Sequence, residues 1–198
     1  MKNADIRQWS DEFRNTLRQE MASAALRMDM RQAEYMRGLG VPVALMLEHN
    51  LIGTVTVEVD SRDFWTPIDT GKAMVVTPLV EDGATLDLIA FDPKDPDIWF
   101  LRTGEGWALG CDAVRDAVQG WDSADKRLSL HATPLDWLRA GSSGACVTQW
   151  TPESRSAVRH VDAIVVTSIK FARALRLELS RPPRIPEIEV KGAQSRAA

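Results

Sequence analysis

Histidine, cysteine and tyrosine are scarce in this chain, at three, two and one among 198 residues. His49, His131 and His160 stand apart, with no second histidine or cysteine three or four places away, which excludes a local zinc motif and leaves structural or surface histidines. Cys111 and Cys146 are isolated and read as small buried hydrophobes kept reduced, not as a disulfide framework. No apolar run approaches the roughly 20 residues that span a bilayer. The N-terminus, MKNADIRQWSDEF, has no apolar leader core and carries acids early, so the expectation is a cytoplasmic protein without membrane contact.

Signatures for phosphate chemistry are missing as well. Gly71-Lys72 has Thr66 where a phosphate-cradling loop needs its first glycine, and Ala73 where it needs a hydroxyl. Gly104-x-Gly106 is followed by Trp107, Ala108 and Leu109, so the dinucleotide fingerprint lacks its third glycine. Gly141-Ser142-Ser143-Gly144 falls where a helix hands over to a strand, the reverse of a nucleophile elbow. No cofactor and no metal site is expected from these patterns.

What is present suits one soluble domain with a helical extension. The chain is 44% hydrophobic and 26% charged, with net charge −4. That charge is segregated. Residues 1–40 carry 7 basic and 6 acidic side chains, residues 41–167 carry 10 and 19, and residues 168–198 carry 7 and 3. The acidic middle repels polyanions, and the C-terminal end attracts them.

Trp9, Phe13, Leu17, Met21, Ala24 and Met28 recur at threes and fours, which predicts an amphipathic helix starting near Ser10. Beyond Met28 the pattern blurs, and Leu26 and Met30 leave the arc, implying a break near Asp29 or a second covered face ahead of the stop at Gly38. Val43–Leu47, Thr54–Val59, Ala73–Val80 and Leu86–Phe91 read as strands, the last two joined by a hairpin at Glu81-Asp82-Gly83. The run LDLIAF suits a central strand covered on both faces. Asp92–Asp97 reads as a proline-bearing loop, Ile98–Arg102 as a strand, and Asp112–Gln119 as a short helix.

The segment RLSLHATPLDWLRAGSSGACVTQW reads as strand, capped helix, glycine stop and strand, with Thr133 as N-cap, Pro134 at the first helical position and Gly141 beyond the end. Whether its two strands pair in parallel stays open. Asp162–Thr167 predicts a strand and Ser168–Leu179 a helix, followed by a proline-rich tail that is extended or disordered. The fold class is α+β: residues 1–40 a helical segment, 41–180 a core with a mixed sheet and short helices, 181–198 the tail.

Carboxylates are the one abundant reactive group. Asp92, Asp95 and Asp97, just past a central strand, together with Asp136, are the candidate catalytic set of a metal-dependent nuclease or hydrolase; Asp92-Pro93 and Asp95-Pro96 as ordinary turn initiators are the favoured explanation. Lys170, Arg173 and Arg176 on one side of the last helix, continued by Arg181 and Arg184, are the candidate nucleic-acid ridge, or an ordinary solvated face. Six of seven tryptophans fall at element ends, as rim packing or as a protein-binding hot spot.

Asp136-x-Leu138 with Ala140-Gly141 resembles the acidic strand–helix–strand unit of toprim domains over about 20 residues. The glutamate of that unit is Ala132 here and no Asp-x-Asp follows the second strand, so the resemblance implies the local fold without the active centre. AFDPKDPDIWFLRTG and TPLDWLRAG resemble small proteins of prophage-like regions, which implies an accessory role in a phage or mobile element and no particular activity. The favoured expectation is therefore a non-enzymatic bacterial accessory protein that binds a protein partner or itself through Trp9, Phe13, Leu17, Leu26 and Met30. Nucleic-acid binding and metal-dependent hydrolysis are the alternatives.

Overall fold

The computed structural model describes residues 2–48, 50–120 and 127–182, with the backbone alone over 2–11. Its elements are α1 (Lys2–Leu26), α2 (Met30–Gly38), α3 (Val43–Leu47), β1 (Gly53–Val59), β2 (Trp65–Pro67), β3 (Lys72–Glu81), β4 (Ala84–Asp92), β5 (Asp95–Leu101), β6 (Ala108–Leu109), α4 (Cys111–Gln119), β7 (Arg127–Ser129), α5 (Pro134–Arg139), β8 (Cys146–Val147), α6 (Pro152–Arg159), β9 (Ala163–Val165) and α7 (Ile169–Ser180). This is an α+β architecture. Five antiparallel strands in the order β2-β1-β3-β4-β5 form the main sheet.

Period-two alternation divides the sheet's side chains between two cores. Met74, Val76, Leu88 and Ala90 face α1, where Leu17, Met21 and Ala24 cover them together with Val55, Val57 and Trp65. Val75, Leu79, Ile89 and Phe91 face the other way, onto Met36, Val41 and Leu45 of the α2–α3 region and onto Leu135, Trp137 and Leu138 of α5. Leu88, Ile89, Ala90 and Phe91 are all fully buried, as a central strand covered on both faces requires.

Three features fix α1 against the sheet. A Cβ on Gly53 would lie 2.5 Å from the Ala24 carbonyl carbon and 2.6 Å from the Ala25 nitrogen, so only glycine lets the helix backbone come this close. Arg102 donates to both carboxylate oxygens of Glu20, at 3.0 and 3.2 Å. The same guanidinium lies 5.6 Å from the centre of the Trp65 ring.

The helix breaks at Asp29, which caps α2 by accepting from the Gln32 amide while Gln32 accepts from the Asp29 amide, each at 2.8 Å. α1 begins eight residues before Ser10, which is interior to it. Val43–Leu47 is a helix, not a strand. Pro42 supplies the extended residue before it, Ala44 to Leu47 are good helix formers, and Leu45 is the residue it buries. The stretch Asp92–Asp97 is not a loop either: Pro93 and Lys94 alone make the turn, and β5 starts at Asp95. Pro96 is tolerated because β5 is the last strand in the sheet order.

A third core, with Val114, Leu128, Leu130, Ala145, Val147, Val158 and Leu175, lies under α4, α6 and α7. β7 pairs in parallel with β9, and Leu130 makes a parallel bridge to Ala145, so the short α5 crossover does join parallel neighbours. Thr133 caps α5 by accepting from the Asp136 amide. Gly141, at φ +72°, ends it: Ser142 donates to Trp137 and Gly141 to Leu138, the two bonds of a Schellman stop.

Candidate docking groove

Three helices leave an open apolar groove at the end of α1. Ala22, Ala25, Leu26 and Met28 from α1 and its exit, Met30, Ala33, Glu34 and Arg37 from α2, and Val43, Met46 and Leu47 from α3 with Glu48 just beyond it enclose about 770 Å³. The geometry follows from the local chemistry. The cap at Asp29 turns the chain before Met30, while the buried Met36 and Leu45 hold α2 and α3 to the sheet by their opposite sides.

Large apolar side chains around this groove face solvent: Leu26 is 88% exposed, Leu47 80% and Met30 76%, with Val43 half exposed. Isolated exposed hydrophobes are ordinary, but four around one concavity are the pattern of an interaction site. Among the described residues that line it, Asp29, Glu34 and Glu48 outnumber the one cation, Arg37, so the rim is acidic.

The other expected docking residues divide. Leu17 is buried against the sheet, so the Leu17–Met21–Ala24 stripe serves the chain's own core and is unavailable to a partner. Phe13, one turn earlier, is 36% exposed, and the side chain of Trp9 lies outside the described residues. The tryptophans at element ends pack. Trp65 donates to the Leu88 carbonyl, Trp99 to Thr148 and Trp137 to Gly144, while Trp107 and Trp150 pack on the third core. Trp121 lies outside the described residues.

Asp92 pairs with Lys72 at 2.9 Å and accepts from the Lys94 amide, and these two donors hold its carboxyl below the usual carboxylate value. Asp95 and Asp97 are exposed along β5. Asp136, in the first turn of α5, pairs with Arg139 at 3.2 Å. Among the described residues, no three His, Cys, Asp or Glu side chains are grouped so as to hold a metal ion. Asp92, Asp95, Asp97 and Asp136 therefore belong to no such group among the described residues.

Asp87 is the carboxylate that the sequence reading missed. Fully buried, it accepts from the amides of Leu88 at 2.7 Å, Thr103 at 3.0 Å, Gly104 at 2.7 Å and Gly106 at 3.3 Å. Gln149 donates to the carbonyls of Gly104 and Gly106, so this loop ties the main sheet to the β6–β8 region. Cys111 and Cys146 are free and buried. Burial pushes both thiols up, that of Cys111 to about 12 with help from Glu81 and Asp112.

Lys170, Arg173 and Arg176 are exposed on α7 opposite the buried Leu175. Arg181 pairs with Glu178 at 3.1 Å, which also pairs with Arg155, and Arg184 lies outside the described residues. Two apolar side chains share this outer face, Ile169 at 75% and Leu177 at 69% exposure.

Among the described residues no helix is long and apolar enough to cross a membrane. Comparison with family models, with curated proteins and with solved structures finds no match to this chain.

Proposed function

We propose that this chain is a non-enzymatic accessory protein that works by docking an amphipathic helix of a protein partner in the α1–α2–α3 groove. The observation that carries the reading is the exposure of Leu26, Met30, Val43 and Leu47 around one concavity of about 770 Å³. A helix fits because its apolar side chains recur on one face at threes and fours, as knobs suited to a groove between helices. The acidic rim selects the sign of its charge: Asp29, Glu34 and Glu48 favour lysine and arginine flanking the apolar anchors.

The test is fluorescence anisotropy with two labelled model helices of equal apolar content, one lysine-rich and one glutamate-rich. The lysine-rich helix is expected to bind, and Leu26→Glu with Leu47→Glu to weaken it at least about tenfold, or ~1.4 kcal/mol. Binding of neither helix, or equal binding of both, overturns the reading.

A further inference from the structure

Resting on that reading of the groove, we infer that the helix it receives is α7 of a second copy of this chain, so that the protein self-associates through two different surfaces. The two match in shape and in charge. At 100° per residue, Arg176, Ile169, Arg173, Leu177 and Lys170 fall within an arc of about 120° on the outer face of α7. Ile169 and Leu177 are the exposed anchors, two turns apart. Around them lie Lys170, Arg173 and Arg176, and the one acid of the helix, Glu178, is taken up by Arg155 at 2.7 Å and by Arg181 at 3.1 Å. The face is therefore apolar and purely basic. The groove is apolar with an acidic rim.

The groove lining carries Asp29, Glu34 and Glu48 against Arg37, and the outer face of α7 carries Lys170, Arg173 and Arg176, so the two surfaces attract each other. A nucleic-acid ridge accounts for Lys170, Arg173 and Arg176 but leaves Ile169 and Leu177 without a role, since phosphates offer them nothing. A partner presenting an acidic margin around an apolar seat uses all five side chains. The contact joins unlike surfaces, so it builds either a closed ring or an open chain of copies, according to whether its rotation closes.

The experiment is light scattering on the full chain across concentration and salt, with two double variants: Leu26→Glu with Leu47→Glu in the groove, and Ile169→Glu with Leu177→Glu on α7. All four positions are exposed, and serine at the same positions serves as the milder control of folding, checked by thermal melts. The wild type is expected to self-associate, more weakly at high salt, and each double variant alone to be monomeric. Mixed, the two variants are expected to form a one-to-one pair, because each brings the intact half that the other lacks. A wild type that stays monomeric while its groove still binds the lysine-rich model helix overturns this inference and leaves the docking reading standing. A monomeric wild type whose groove binds no helix overturns both. Failure of the mixed variants to pair also overturns the inference, as does loss of oligonucleotide binding in the α7 variant with self-association intact.

Discussion

Replacing Asp87 with alanine removes a carboxylate that accepts four backbone N–H groups in the interior, two of them, from Leu88 and Gly106, themselves buried. Hydrogen bonds to a charged group contribute about 1.5–3 kcal/mol each, but four sharing one acceptor do not add, since the loop relaxes together once the carboxylate is gone. Taking two of the four as fully lost gives an expected destabilisation of about 3–6 kcal/mol, a large part of the roughly 5–15 kcal/mol that holds a domain folded. Asparagine sharpens the argument. Its single carbonyl oxygen can replace Oδ1 toward Leu88 and Thr103, but its NH₂ then faces the Gly104 and Gly106 donors, and the expected loss is still about 2 kcal/mol or more. Urea unfolding followed by tryptophan fluorescence measures both. Losses below about 1 kcal/mol for the alanine variant refute the claim that this carboxylate anchors the 103–106 loop.

Other sites make independent tests. Gly53→Ala drives a methyl into the backbone of α1 and is expected to cost about 1–3 kcal/mol in the same unfolding assay; a neutral result contradicts the close approach of helix and strand. The Asp92 carboxyl is held below its ordinary value of 3.8 by Lys72 and the Lys94 amide, so its contribution is fully present above that pH and fades as the pH falls through the lowered value. Asp92→Asn is expected to flatten stability against pH in that acid window alone, and an unchanged slope there refutes the pairing. Both cysteine thiols, raised by burial, are protonated at neutral pH, so alkylation of the native chain is expected to be far slower than of the urea-unfolded chain; rapid native labelling of Cys146 contradicts its burial.

The sequence was most legible where a signal is local. The break at Asp29 is a capping box within four residues, the α5 unit carries its cap, proline and glycine stop in nine, and LDLIAF announces its burial by composition alone. The signals that misled are those decided by distant partners. Val43–Leu47 has the texture of a strand but is too short for periodicity to separate the two states, and its helix is fixed by docking Leu45 beneath the sheet. Gly53 reads as turn punctuation, whereas its absent side chain is needed by α1, about 30 residues away in the chain. Asp87 sits inside an apolar run with no local sign that residues 103–106 return to it. For the candidate site, Leu26 and Met30 were visible as residues that leave the amphipathic arc. The concavity they border was not, because Val43 and Leu47 join it only once α3 is helical.

Amide hydrogen exchange on the full chain, with and without a saturating lysine-rich helix, tests the docking account most directly. Slowed exchange confined to the groove-forming segments between residues 22 and 48 is the predicted result; unchanged exchange there, or protection centred on another surface, contradicts it.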